Sequence, residues 1–291
     1  MRVASGIGPR LNYPSVTIDR LPHSSRLVWH LGVSKSRENS LDLQLKGKRA
    51  IVTGGSRGLG KAIARMLAGE GVDVVIAARN VEQLENSAKE LAAATQARIL
   101  PFQVDTSDDD SVNRMVTQAI PALGGIDILV NNAAVAGGGK VAKIAQLDNS
   151  RLLQDINVKI GGYARMARAV APHLVSNGWG RIISIGGLAA RRTGNYSAAI
   201  RTVGVSALTK NLADELGPGG VTAIAIHPGA MRTEATTPDM ERTFIASVST
   251  KRMIDHDDIA WLVTVLASPR SSSINGETIQ AGGGTVGVID Y

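Results

Sequence analysis

The chain has 291 residues, 44% of them hydrophobic, enough for one sizeable core and at most two domains. Cysteine is absent, which excludes disulfides, thiolate nucleophiles and cysteine-held metals, and no metal site is expected. The formal net charge is +7, yet residues 1–49 carry nine Lys/Arg against three Asp/Glu and leave 23 against 22 for the rest, so no nucleic-acid face is expected, and no apolar run reaches the roughly 18 residues of a membrane span.

Residues 1–44 mix Pro, Ser, Arg and isolated apolar residues without periodicity, and they are expected to form a basic, largely disordered extension. Two accounts of it stay open: a transit-peptide-like segment, or an over-extended start whose true position lies near Val33. The expected location is cytoplasmic, with organellar import through the extension as the alternative. Residues 45–291 are expected to form one domain.

From Arg49 onward, apolar runs alternate with helical stretches. Strands are expected at Ala50–Thr53, Val72–Ala78, Arg98–Gln103, Ile126–Asn131, Arg181–Ile185, Val221–Ile226 and Glu277–Gln280. Helices are expected from about Leu59, over Val81–Ala94, after Ser107, over Arg151–Ser176 and Tyr196–Leu216, and near His256–Ala267. Continuous Val/Ile runs separated by helices describe strands buried on both faces, hence an α/β fold of the Rossmann type, with a doubly wound parallel sheet of about seven strands.

Gly54, Gly58 and Gly60 lie between the first strand and the first helix, in Thr53-Gly54-Gly55-Ser56-Arg57-Gly58-Leu59-Gly60. Glycines there let the backbone approach a pyrophosphate, and the free amides of a helix N-terminus hold its charge. Ser56 and Leu59 belong to the same turn. At the end of the second strand, where an NAD site places a carboxylate, stands Arg79. With Arg57 it offers guanidinium donors to a 2′-phosphate, so the expected cofactor is NADP(H). A plain strand-to-helix turn and two solvated arginines are the bland alternatives.

Taken together, these residues resemble the short-chain dehydrogenase/reductase family over about Leu45–Gly284. The turn matches the family's cofactor motif, Asp105 its adenine-contacting acid, and Asn131-Asn132-Ala133-Ala134 its central-strand motif. Asn157 resembles the helix asparagine that supports a proton-relay water, and Pro228-Gly229 with Thr233 the stretch lining the nicotinamide. Gly276 and Gly282-Gly283 resemble the C-terminal motif. Strand-end turn chemistry is the rival for the Asn pair, and a helix cap near Ser107 is the rival for Asp105. The resemblance implies a homodimer or homotetramer and a small-molecule carbonyl or alcohol substrate.

The family's catalysis uses a Tyr, a Lys four residues later and a Ser after the preceding strand. Here Tyr196 is followed at that spacing by Ile200, and Gly187 stands at the serine position. Ser184 could replace the serine only if the strand end were rearranged. Without a neighbouring ammonium to favour its phenolate, Tyr196 can donate a proton but hardly accept one, which favours carbonyl reduction by NADPH. Tyr196 and Asn157 are thus the catalytic candidates, and Ala133 and Asn131 join the cofactor set. Two further readings are a non-redox enzyme on the same scaffold and an NADPH-binding scaffold protein. The stretch Arg232–Ser249 is a candidate lid.

Overall fold

In the computed structural model of the protein, β1 (Arg49–Thr53) lies between β2 (Asp73–Ala78) and β4 (Ile128–Asn131). The residues described are 41–134, 143–191 and 193–286, so expectations for residues 1–40 lie outside them. With β3 (Ile99–Gln103), β5 (Gly180–Ile185), β6 (Val221–Pro228) and β7 (Thr278–Ala281), the strands form one parallel sheet of order β3-β2-β1-β4-β5-β6-β7. This is the Rossmann-type doubly wound sheet expected from the sequence.

Alternate residues of each strand enter opposite cores, because successive strand side chains point to opposite faces. Ala50, Val52, Val74, Ile76, Ile128 and Val130 pack on α1 (Gly58–Gly69), α2 (Val81–Thr95) and α8 (His256–Ala267). Ile51, Val75, Ala77, Leu129 and Ile182 pack on α3 (Asp109–Leu123), α5 (Gly162–Ser176) and α6 (Tyr196–Leu216). Both layers are dry, which explains why the strands read as unbroken apolar runs. At the N-terminal edge, Asp127 accepts from the Arg49 backbone N–H (2.9 Å), Nε (2.7 Å) and Nη2 (2.9 Å), tying β1 to β4.

Chain order departs from β1 in opposite directions, so a crevice opens at the carboxyl ends of β1 and β4. Side chains cap most helix starts around it: Asn80 for α2, Asp108 for α3, Asn195 for α6, and an Asp255–Asp258 capping box for α8. At α1 the N-cap is Arg57, and its side chain bonds none of the first-turn amides. Those amides are left for a ligand.

Two local features differ from the sequence expectation. The helix expected over Arg151–Ser176 is α4 (Asn149–Ile156), a π-helical turn (Asn157–Gly161) and α5. The extra residue of a π turn falls where two poor helix formers, Gly161 and Gly162, adjoin and Gly162 presses against Thr106. The candidate lid contains a helix, α7 (Pro238–Ser247), capped by Thr237 and opened by Pro238.

Candidate functional site

The glycine turn is shaped by contacts that tolerate no side chain at its end. Gly54 and Gly58 adopt left-handed φ of 67° and 51°, and a Cβ on Gly60 would lie 2.1 Å from the Gly54 carbonyl oxygen. The turn is tied to β4 through Thr53, whose Oγ1 accepts from the backbone N–H of Asn132 (3.0 Å) and Ala133 (3.1 Å). Asn132 Nδ2 donates to the carbonyls of Thr53 (3.1 Å) and Gly54 (3.3 Å). Ser56 is buried at the base, with its hydroxyl on Gln83 (3.2 Å) and its carbonyl accepting from Ser87.

A cleft of about 800 Å³ runs along the strand ends at this turn. Gly54, Ser56, Arg57, Gly58, Leu59, Gly60, Arg79, Asp105 and Ala133 of the sequence candidates all line it. Arg57 and Arg79 are both exposed on its lining, and the carboxylate that would oppose them is absent from the last residues of β2. Asp105 is held below the usual carboxylate range, first by the Ser107 hydroxyl and next by its backbone N–H, with the charges of Arg79 and Arg165 adding to this. Its carboxylate is therefore an acceptor committed in part to the turn ahead of α3, so both readings of Asp105 have a physical basis.

Other candidates lie elsewhere. Asn131 is fully buried beneath the cleft, its Nδ2 3.4 Å from Ser184 Oγ and its Oδ1 without a hydrogen-bond partner. Ser184 is buried within β5, as a strand serine would be. Pro228 ends β6, and Gly229 abuts Gly282, where a Cβ would lie 2.7 Å from the Gly282 Cα. Thr233 is exposed in a separate hollow with Gly58 and His256. Asn157 opens the π-helical turn, and its side chain is engaged by Arg165 Nη2 (2.7 Å) and faces the Ser107 carbonyl (3.4 Å).

No Tyr196 atom lies within 4 Å of the Cβ position of Gly187. Tyr196 is the first residue of α6 and 42% exposed, and Ile200, one turn on, is 44% exposed. The side chain nearest the Cβ position of Gly187 is that of Thr202, whose Cγ2 lies 3.5 Å away. Thr202 and Ala198, four residues apart and both buried, form the face of α6 toward the end of β5. The Thr202 hydroxyl is spent on the carbonyls of Ala198 (2.6 Å) and Ala199 (3.1 Å).

Sequence reasoning passed over several cleft residues. Thr53 and Asn132 hold the turn, and Gln83, Thr106 and Val158 line the cleft. Thr53 and Asn132 both fall within the motifs quoted in sequence, but the contact between them arises only from the packing of β1 on β4.

A turn with free amides, a Cβ-intolerant glycine floor and flanking guanidinium groups fits a dinucleotide carrying an extra phosphate. A family model described as enoyl-(acyl carrier protein) reductase matches residues 54–286. An uncharacterized oxidoreductase of Mycobacterium tuberculosis is 36% identical over 243 residues, covering 82% of this chain and 97% of that protein. The crystal structure of a short chain dehydrogenase from Burkholderia cenocepacia J2315 in complex with NADP superposes with a TM-score of 0.74 at 33% identity, covering 82% and 98% of the two chains. That of 7α-hydroxysteroid dehydrogenase complexed with NADH and 7-oxo glycochenodeoxycholic acid gives 0.78 at 29% identity, covering 86% and 98%.

Proposed function

Because the chain belongs to the short-chain dehydrogenase/reductase family of oxidoreductases, we propose that it is an NADPH-dependent enzyme that reduces the carbonyl of a small organic substrate. The observation that carries the nucleotide choice is that Arg57 and Arg79 both line the cleft, with no carboxylate at the end of β2. Structural neighbours are described with NADP and with NADH, so family membership leaves the nucleotide open, and the local charge supports NADPH.

In this reading the amides of Gly58 to Gly60 and the uncapped start of α1 hold the pyrophosphate. Arg57 and Arg79 clamp the 2′-phosphate, Asp105 takes the adenine, and Asn131 and Ala133 line the middle of the cofactor. Pro228, Gly229 and Thr233 flank the nicotinamide, which would supply a hydride when bound. Tyr196, with Asn157, is the pair favoured by sequence for proton delivery. Self-association through α5 and α6 into a homodimer or homotetramer, and a cytoplasmic location, complete the proposal.

Thermal shift with NADPH and with NADH, run beside NADPH oxidation over a panel of ketones and aldehydes, tests it. A larger stabilisation by NADPH and turnover of at least one carbonyl are expected. Equal shifts would remove the nucleotide choice, and absence of turnover would remove the reductase. The second reading, a non-redox enzyme or NADPH-binding scaffold, draws on one observation: Gly187, Ala198 and Thr202 present no acid–base side chain. It expects the thermal shift without NADPH consumption.

A further inference from the structure

Gly161 ends the π-helical turn and Gly162 begins α5, and the pair leaves room on two sides. A Cβ on Gly161 would lie 2.9 Å from Arg165 Nη1 and 3.1 Å from Asn157 Oδ1, and one on Gly162 would lie 3.0 Å from the Thr106 side chain. The room at Gly161 is taken by the guanidinium of Arg165, a side chain only 18% exposed. Its Nη2 donates to Asn157 Oδ1 (2.7 Å), and its Nη1 donates to the carbonyls of Asn157 (3.3 Å) and Thr106 (3.3 Å). Its Nε donates to Asp109 Oδ2 (2.7 Å) on the first residue of α3. One side chain thus joins the π-helical turn, the turn that follows β3 and the start of α3.

Both ends of this junction reach the cleft. Asp105 and Thr106 line it from the turn after β3, and Val158 lines it from the π-helical turn. The Asp105 carboxylate accepts from the Ser107 hydroxyl (2.6 Å) and backbone N–H (2.9 Å), so a ligand that draws on Asp105 acts on the whole turn. Two carbonyls of that turn face the other element: Asn157 Nδ2 lies 3.4 Å from the Ser107 carbonyl, and Arg165 holds that of Thr106. Asp109 anchors the arrangement from α3, with Arg168 on its second oxygen. A planar guanidinium makes these several directed bonds at once, and the single ammonium of a lysine has no such fork.

We propose that Arg165 is a positioning residue that couples the adenine end of the cleft to the π-helical turn. A nucleotide held at Asp105 fixes the turn after β3, and Arg165 passes that constraint to Asn157 and to the stretch of cleft wall that carries Val158. Arg165 itself acts only through these residues. Coupling of this kind is reciprocal, so releasing the π-helical turn weakens binding at the adenine end by the same factor by which binding there steadies the turn. The coupling rests on the reading of the cleft as a dinucleotide site given above, and it holds whether or not the bound nucleotide goes on to reduce a carbonyl.

Two measurements on the full chain test it, both with adenosine 2′,5′-bisphosphate, which carries the adenine and the 2′-phosphate but no nicotinamide. The first is amide hydrogen exchange with and without the bisphosphate. In the wild type, exchange is expected to slow by about threefold or more in peptides covering residues 157–161, as well as in the glycine turn. In Arg165→Met, Arg165→Lys and Asn157→Ala the glycine turn is expected to keep its response and residues 157–161 to lose theirs. A merely structural tie would instead change exchange equally in the free and bound states and leave the response to the ligand intact. The second is calorimetry: Arg165→Met and Asn157→Ala are each expected to weaken the bisphosphate by about fivefold, and the double variant no further, because the two changes cut one link. Should Arg165→Met fail to fold, Asn157→Ala cuts the same link from its other side. A wild type that binds the bisphosphate and protects the glycine turn without slowing residues 157–161, an Arg165→Lys that keeps the full response, or single losses that add in the double variant, each overturns this inference alone. A wild type that binds neither the bisphosphate nor NADPH overturns the nucleotide reading and this inference with it.

Discussion

Gly60 sits so close beneath Gly54 that a Cβ on Gly60 would come within 2.1 Å of the Gly54 carbonyl oxygen. The atom opposed is backbone, so no side-chain rotation relieves the contact. Gly60→Ala is expected to shift the turn and weaken NADPH by at least tenfold, about 1.4 kcal/mol. Far-UV circular dichroism and a nucleotide titration check this. A folded variant with wild-type NADPH affinity would show that the turn does not carry the pyrophosphate.

Arg57 and Arg79 line the cleft from the α1 cap and the end of β2. Each charge-assisted contact to a phosphate is worth roughly 1.5–3 kcal/mol. Alanine at either position is therefore expected to weaken NADPH by about 10- to 100-fold and leave NADH within twofold. Equal losses for both nucleotides would mean that these side chains hold something other than a 2′-phosphate.

Asp127 joins the starts of β1 and β4 by accepting three hydrogen bonds from Arg49. Its side chain is 8% exposed, so removal strands the Arg49 guanidinium and backbone amide in a partly dry site. Asp127→Ala is expected to cost about 2–4 kcal/mol in urea denaturation without changing the slope. The pair lies at the end of the sheet away from the cleft, so nucleotide binding at saturating folding conditions should be unchanged.

Two buried bases set a pH dependence with a definite sign. Lys159 is lowered from 10.5 to about 7 and His227 from 6.5 to about 4. Between its two values each group is protonated in the unfolded chain and neutral in the fold, so the unfolded state binds more protons and stability falls as pH falls. For Lys159 the window runs from about 10.5 down to 7, and for His227 from about 6.5 down to 4. Lys159→Met is expected to abolish the upper slope and to raise stability at pH 7 by on the order of a few kcal/mol, since it removes a buried unpaired charge. Urea midpoints at pH 7 and 9.5 measure both effects. A variant less stable than wild type at pH 7, with the upper slope intact, would contradict the assignment of this titration to Lys159.

Much of the fold was legible because each strand of the sheet is covered on both faces and therefore reads as a run of apolar residues, as in Ala50–Val52 and Val74–Ala77. Alternating runs and helices leave few topologies. The glycine turn was legible for a related reason, since its function depends on backbone and needs no distant partner. The helix pattern over Arg151–Ser176 gave no sign of the π-helical turn at Asn157–Gly161, because one inserted residue changes helical phase without changing composition. That phase shift matters most for the site, because the turn carries Asn157 and the cleft-lining Val158.

The acid–base wall was legible only in part. Counting four residues from Tyr196 identifies Ile200, yet the α6 side chain nearest the Gly187 Cβ position is that of Thr202, four residues after the buried Ala198. Which face of α6 meets the sheet is a packing outcome, and α6 is too evenly small and mixed for its periodicity to announce it. The exposed position of Ile200 also carries a consequence: Ile200→Lys is expected to leave activity within twofold, because the new ammonium would point away from Gly187. Lys159, by contrast, is an ordinary helical lysine in sequence, and only the packing of α5, α6 and the end of β6 makes it a buried base.

The most direct test of the central claim is the ratio of NADPH to NADH dissociation constants for the wild type beside the Arg57→Ala, Arg79→Ala double variant, measured by calorimetry. A wild type that prefers NADPH by at least tenfold, with the preference abolished in the double variant, is the expected result. A wild type that binds NADH as tightly as NADPH, or a double variant that keeps the preference, would contradict it.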